Sequence, residues 1–236
     1  VMAVREPYGV TGHIIPWNYP SQIYSRNVAA SLAAGNACVL KPAEDASLAP
    51  LRISELAYEA GLPKGALNIV CGLGTEVGAA LSGHPGINYM SFTGSPGVGT
   101  LITQAAAPNH VPPTLELGGK SPHEIFADAD LEKALPVVVN AIVQNAGQTC
   151  AAGSRVLIQK SIYDKTVTLL ADRFARLKTG PGLRGLDCGP LISRKQFGRV
   201  TGMVDKALSE KIEVAAKAEL VADAPNGGFY FPPMLL

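Results

Sequence analysis

The chain has 236 residues, of which 47% are hydrophobic and 17% charged, and its formal net charge is +1. That length supports one large domain or two smaller ones with apolar cores, and the near-neutral charge gives no electrostatic footprint for nucleic acid. No apolar run reaches the length of a transmembrane helix, so the expected partner is a small molecule rather than a nucleic acid or a membrane.

Val10 to Ile15 reads as a short apolar strand running into Pro16-Trp17-Asn18-Tyr19-Pro20, a turn bounded by two prolines. A helix is predicted from about Ser21 to Ala34, closed by Gly35 as a left-handed cap. Ala37 to Leu40 is a continuous apolar run that suits a buried parallel strand delivering Lys41 at its carboxyl end. Ile53, Leu56, Ala57 and Ala60 then mark the buried stripe of a second helix, stopped by Gly61-Leu62-Pro63. Ala66 to Val70 is the next strand, Thr75 to Leu81 a short helix, and Tyr89 to Phe92 another strand. After it, Thr93-Gly94-Ser95 leads into a helix with Pro96 at its first position. This alternation predicts an α/β fold, a doubly wound sheet whose ligands gather at the carboxyl ends of its strands, where Asn18, Lys41 and Ser95 fall.

Thr114 to Leu117 reads as a strand ending in the hinge Gly118-Gly119, and a domain boundary is placed there. Beyond it, Leu131, Ala134, Leu135, Val138 and Ile142 form a helical stripe, with Asp128 and Asp130 near its N-terminus. Arg155 to Gln159 reads as a strand, Val167, Leu170, Phe174 and Leu177 as one amphipathic helix, and Lys195 to Leu208 as another. Both ends look cut: the chain begins at Val1 and stops in the apolar run Phe231 to Leu236, which predicts a piece of a longer protein.

Four cysteines at unrelated spacings match neither a zinc pattern nor a disulfide framework, so no metal is expected and a reducing, cytoplasmic compartment is. Cys38 and Cys71 read as packing residues at the ends of buried strands, and Cys188, in a loop, as inert. Cys150 differs. It lies between Gly147 and Gly153 among small neighbours, after a helix and before a strand, which presents a thiol to a substrate. For a thiol attacking a carbonyl, Asn18 is a candidate oxyanion donor. Glu116, in an apolar strand beside two glycines, reads either as an edge-strand solvent contact or as a buried carboxylate with a raised pKa suited to activating water. Lys120 reads as a member of a structural ion pair. His13, His84, His110 and His123 are scattered, without the context of a cysteine-histidine hydrolase. Gly72-Leu73-Gly74-Thr75 and Gly94 to Gly99 both lack the spacing of the dinucleotide fingerprint. The second is the better anion site, because Ser95 and the amides of a helix N-terminus can hold a phosphate. Lys41 and Glu44 read either as ribose contacts or as a surface pair.

Taken in this order, the segments Pro7 to Val10, Pro16 to Pro20, Gly35-Asn36 with Lys41 to Glu44, Phe92 to Ser95, Leu115 to Pro122 and Gly147 to Arg155 resemble one family, the NAD(P)-dependent aldehyde dehydrogenases. The resemblance implies a Rossmann-like parallel sheet in a cofactor domain over residues 1–118, followed by an α/β catalytic domain over 119–236. It implies oxidation of an aldehyde to an acid through a cysteine thiohemiacetal and thioester, with Cys150 as nucleophile, Glu116 as base, and Asn18 with the Cys150 amide as oxyanion hole. Cofactor contacts are implied for Ile15, Pro16, Trp17, Lys41, Glu44, Gly74, Phe92, Thr93, Gly94, Ser95, Val98, Leu117 and Gly118. Glu116 favours hydrolysis over transfer to coenzyme A, and Glu44 favours NAD, with NADP possible. The alternatives are a coenzyme A-acylating semialdehyde dehydrogenase and a non-catalytic nucleotide-binding scaffold. The resemblance further implies that the full-length protein is a homodimer or homotetramer. In the family a larger N-terminal part precedes Val1, and a Glu-Glu-x-Phe-Gly-Pro segment that helps hold the nicotinamide ribose follows Leu236. The 236-residue piece alone is therefore expected to be inactive and poorly soluble.

Overall fold

The computed structural model describes all residues, Val1–Leu236. By its internal contacts the chain divides into two units, Val1–Gly118 and Gly119–Leu236.

The first unit contains strands β1 (Val10–Ile14), β2 (Ala37–Lys41), β3 (Leu67–Ile69), β4 (Tyr89–Gly94) and β5 (Pro113–Leu117). They form one sheet in the order β3-β2-β1-β4-β5, and every neighbouring pair is parallel. Helices α1 (Pro20–Ala33), α2 (Leu48–Glu59), α3 (Ala79–Ser82) and α4 (Pro96–Ala106) supply the crossovers that parallel pairing requires. Successive side chains on a strand leave opposite faces. Ile15 thus joins Ile23, Tyr24, Val28, Cys38, Leu40 and Leu67 on one side. Ile14 joins Leu81, Ile87, Met90, Phe92 and Ile102 on the other. The sheet is covered on both faces, as the strand-helix alternation predicts.

On the α1 side the sheet surface changes from apolar to polar at β1. Thr11, His13, Ser91 and Thr93 are all buried there. His13 is only 2% exposed, yet both ring nitrogens are partnered, Nδ1 with Ser91 Oγ at 2.7 Å and Nε2 with Thr11 Oγ1 at 3.0 Å. Thr11 Oγ1 also meets Ser31 Oγ of α1 at 2.7 Å, and Asn27 Nδ2 donates to Ser91 Oγ at 3.3 Å. These bonds offset the cost of burying polar groups.

Three expectations need correction. Cys71 is exposed: β3 stops at Ile69, on the edge of the sheet, before the cysteine is reached. In α2, Leu56 is 46% exposed and Ala60 is exposed, while Pro50 and Ser54 are the buried residues. Here a small hydroxyl outcompetes the apolar stripe, because Ser54 Oγ donates to the Pro50 carbonyl and meets Tyr24 OH of α1 at 2.9 Å, knitting the two helices together. The helix expected over Thr75 to Leu81 is instead a π-helical turn, Gly74–Gly78, continued by the single turn of α3.

In the second unit, β6 (Pro122–Ile125) pairs in parallel with β7 (Arg155–Ile158), and α5 (Leu131–Val143) is the crossover between them. Asp130 caps α5 by accepting from the Lys133 amide. Leu135, Val138, Val139 and Val143 of α5 pack with Ile125, Cys188, and Leu170 and Phe174 of α6 (Tyr163–Arg176). Helix α7 (Arg194–Ser209) is capped by Ser193. Short pairings, β8 (Lys178–Thr179) with β10 (Glu219–Leu220) and β9 (Ala216–Lys217) with β11 (Met234–Leu235), tie down the remaining chain.

Burial holds the His13 pKa down at about 4, from 6.5 when free. The unfolded state therefore takes up the proton first as pH falls, so stability is unaffected above about pH 6.5 and is lost between that pH and about pH 4, by up to about 3 kcal/mol. In the full-length protein, the His13→Gln variant should show a flatter dependence of melting temperature on pH in this window than the wild type. Parallel curves would show that His13 titrates normally.

Candidate active site

Because all five strands of the first unit run the same way, their carboxyl ends lie along one edge of the sheet. From β1 the chain continues through buried Ile15 into Pro16, Trp17 and Asn18, all half-buried, and Pro20 starts α1 two residues beyond Asn18. The proline at the helix start fixes where the turn must end. At the end of β2, Lys41 is only 2% exposed, and its ammonium donates to the Pro42 carbonyl at 2.8 Å and lies 3.4 Å from Glu44 Oε1. That carboxylate oxygen also accepts from the Gly74 amide at 2.6 Å. Burial pushes the Glu44 carboxyl up, but the backbone amides of Glu44 and Gly74 and the Lys41 ammonium outweigh it and leave the group below the usual carboxylate range. Lys41 and Glu44 are thus not a surface pair. They form an anchored carboxylate beside the π-helical turn, with Glu44 still 46% exposed.

At the end of β4, Thr93 is buried and Gly94 half-buried, while Ser95, at the N-cap of α4, and Val98 are exposed. The Ser95 hydroxyl makes no capping bond, which leaves the first amides of α4 available to an anion. Phe92 differs from the other expected cofactor contacts because its side chain belongs to the core on the α3 and α4 side. Strand β5 is the sheet edge, and Glu116, Leu117 and Gly118 are exposed on it. Glu116 is thus exposed on an edge strand rather than buried. Its register partner on β4 is Thr93.

Glu116 also opens on a cavity of about 360 Å³ lined by Arg26, Asn27, His13, Ser91, Thr93 and Thr114, among others. Arg26 donates to Thr93 Oγ1 at 3.3 Å. Thr93 and Glu116 were among the expected site residues, whereas Arg26, Asn27, Ser91 and Thr114 were not. Their signal is the period-2 alternation of Thr11 with His13, Ser91 with Thr93, and Thr114 with Glu116, matched by Asn27 and Ser31 one helical turn apart.

In the second unit, the residues after α5 turn against the normal hand of the chain. Asn145 and Ala146 take φ of 51° and 54°, and Gly147 takes 74°. A left-handed residue with a Cβ costs about 1–2 kcal/mol, so the pair Asn145 and Ala146 needs outside support. Gly147 suits its place doubly, since a Cβ there would also lie 3.1 Å from the Ile142 carbonyl. The turn releases Cys150 as an exposed residue, and the Cys150 carbonyl accepts from the Gly119 amide at 3.2 Å. At Gly153 the His123 ring lies where a Cβ would go, so a side chain there would have to displace the imidazole.

Lys120 forms no ion pair with a carboxylate, contrary to expectation. Its ammonium donates to the Gly119 carbonyl at 3.0 Å, and its own carbonyl accepts from Arg155 Nε at 2.8 Å. Cys188 is 3% exposed and its thiol donates to the Val143 carbonyl at 3.7 Å. Burial, with the Asp187 charge, pushes that thiol up to about 11, which agrees with an inert role.

A family model described as the aldehyde dehydrogenase family matches residues 1–236. The chain belongs to the aldehyde dehydrogenase family. Among its relatives, the hydroxyisobutyraldehyde dehydrogenase of Mycolicibacterium austroafricanum is 42% identical over 229 residues, covering 97% of this chain and 45% of the relative. The betaine aldehyde dehydrogenase of Bacillus subtilis is 41% identical over 232 residues, covering 97% and 47%. Among solved structures, a provisionally assigned aldehyde dehydrogenase of Burkholderia cenocepacia superposes with a TM-score of 0.96 at 63% identity, covering 98% of this chain and 48% of that one. The betaine aldehyde dehydrogenase of Staphylococcus aureus in complex with NAD+ gives 0.92 at 40% identity, covering 97% and 46%. The chain therefore spans about half the length of the aldehyde dehydrogenases it matches. No helix in it is long and apolar enough to cross a membrane.

The two buried thiols should resist modification. On treatment of the native full-length protein with iodoacetamide, mass spectrometry should find Cys38 and Cys188 unmodified until denaturant is added. Labelling of Cys188 as fast as that of Cys150 would contradict its burial.

Proposed function

We propose that the full-length protein oxidises a small aldehyde to the carboxylic acid with NAD+ as acceptor, and that residues 1–118 serve as cofactor domain and 119–236 as catalytic domain. The observation that carries this reading is the gathering of an anchored carboxylate, an uncapped helix N-terminus, the Asn18 amide and the Glu116 carboxylate at one edge of a parallel sheet whose order reverses between β1 and β4.

The residues present suit a dinucleotide. Glu44, fixed by Lys41 and the Gly74 amide, keeps an exposed oxygen side that can accept from ribose hydroxyls. Ser95 and the first amides of α4 can hold the pyrophosphate. Ile15, Pro16, Trp17, Thr93, Gly94, Val98, Leu117 and Gly118 border the same edge, and the backbone of Phe92 leads into it. When bound, NAD+ supplies a hydride acceptor. A carboxylate is charged at neutral pH, and Glu44, oriented by Lys41 and the Gly74 amide, would repel a 2′-phosphate, which favours NAD over NADP.

In the reaction we infer, the Cys150 thiolate adds to the aldehyde carbon to give a thiohemiacetal. Its oxyanion is held by the Asn18 side-chain amide and the Cys150 backbone amide. Loss of hydride from carbon restores the carbonyl as a thioester. Glu116 then takes a proton from water, the hydroxide attacks the thioester carbon, and the thiolate leaves. Aldehyde, NAD+ and water yield acid, NADH and a proton. A carboxylate at position 116 supports hydrolysis over release to coenzyme A.

In the full-length protein, Cys150→Ala should abolish aldehyde-dependent NADH formation while NAD+ affinity stays within about twofold of wild type. A scaffold would show no turnover to lose. Glu116→Gln should retain a burst of NADH in the first turnover and lose steady-state rate by about 10²–10⁴-fold. Dependence of the wild type on added coenzyme A would replace hydrolysis with acyl transfer.

A further inference from the structure

Gln148 lies two residues before the cysteine, at the exit of the left-handed turn. Its side chain is used at both ends. Nε2 donates to the Asn145 carbonyl at 2.9 Å, and Oε1 accepts from the Ile192 amide at 2.9 Å. The backbone reinforces the first contact, since the Gln148 amide donates to the Asn145 carbonyl at 3.1 Å and Asn145 Nδ2 donates to the Gln148 carbonyl at 3.3 Å. The Ile192 end is itself fixed. Ser193 beside it caps α7, and the Leu191 amide donates to the Phe229 carbonyl at 2.9 Å. Cys188, in the same loop, packs onto α5. One carboxamide thus bolts a strained turn, containing a left-handed alanine, to a loop that is more than 40 residues away in sequence and anchored independently.

We propose that Gln148 is the positioning residue for the nucleophile. It acts through Cys150 and does not touch the substrate. A turn with two left-handed residues that carry Cβ atoms relaxes toward right-handed geometry unless it is held. Such relaxation would rotate the following peptide planes, and with them the Cys150 amide and thiol, which must face the same carbonyl group from two directions. Donor and acceptor ends of the carboxamide do different work. The donor end fixes the handedness of the turn, and the acceptor end fixes where the turn sits. This inference rests on Cys150 being the nucleophile.

The test compares Gln148→Met, which keeps the side-chain length without either bond, Gln148→Glu, which keeps only the acceptor, and Gln148→Ala, all in the full-length protein. The readouts are kcat, KM for aldehyde, NAD+ affinity, and the rate of Cys150 alkylation by iodoacetamide across pH. Gln148→Met should lower kcat by about 10- to 100-fold with KM and NAD+ affinity within about threefold, and should change the pH profile of alkylation. Adding Ala146→Gly to Gln148→Met should recover part of the lost rate, because glycine takes the left-handed conformation without the Cβ penalty and leaves less for the clamp to hold. Wild-type kcat and alkylation profile in Gln148→Met would overturn the proposal, as would a rate loss that Ala146→Gly deepens. If alkylation of Cys150 in the wild type leaves turnover intact, the nucleophile assignment itself fails, an outcome separable from the others. Should Gln148→Met not fold, Gln148→Glu tests the donor end alone: a lowered kcat with an altered alkylation profile supports the proposal, and wild-type values of both overturn it.

Discussion

Parallel pairing of β1 with both β2 and β4 is the constraint from which the first unit follows. A parallel neighbour cannot be reached by a tight turn, so each strand is followed by a crossover, and each crossover begins at the same edge. The registers Ile14 with Lys41, Ile14 with Phe92 and Thr93 with Glu116 bring four segments that are remote in sequence to a common line. Val10–Ile14 can occupy the middle only because both of its faces are covered, and its four residues from Thr11 to Ile14 are all buried. No single motif along that edge is diagnostic. The strand order makes them neighbours.

Central burial has a cost that the polar stripe makes visible. A histidine, two threonines and a serine occupy sheet positions that hydrocarbon would fill more simply. The hydrogen bonds joining His13 to Thr11 and Ser91, and Thr11 to Ser31, satisfy these groups internally. A neutral imidazole with two hydroxyl partners is stable there, whereas an imidazolium is not, which is why burial drives its pKa down. Lys41 solves the opposite problem. Its charge is kept in a nearly closed site by a carbonyl and a carboxylate, and that carboxylate is thereby oriented by two donors.

The strands and long helices were legible because their signals are local. Apolar runs ending at Lys41 and Phe92, a helix stopped by Gly35 and one opened by Pro96 depend on residues within a few positions. What was not legible depends on partners far along the chain. Leu56 looks like a core residue by periodicity, but the Ser54 contact with Tyr24, 30 residues away, rotates the buried face of α2. Cys71 looks like the end of a strand that in fact stops earlier, at a sheet edge. Glu116 could not be sorted between burial and edge until the strand order made β5 the outermost strand. Lys120 reads as half of an ion pair only while its partners, the Gly119 carbonyl and the Arg155 side chain, are unknown.

The cysteines show how far environment, rather than residue type, divides labour. Cys188 and Cys150 both follow loops rich in small residues. At pH 7, a thiol raised to about 11 is ionised in about one molecule in 10⁴, and Cys188 is in addition shut in against the α5 core. Cys150 escapes such burial because its helix ends in a left-handed turn. Had Gln144 to Gln148 continued as α-helix, the cysteine would have followed the winding of a helix whose last residue, Val143, is buried in the core. The reversal of hand interrupts that periodicity and returns the chain to β7 through a bend that exposes Cys150 and Ala151 while Ala152 and Gly153 are buried. Exposure of the thiol and strain in the backbone are thus two results of one reversal, and whatever holds the reversal in place also sets where the sulfur can reach.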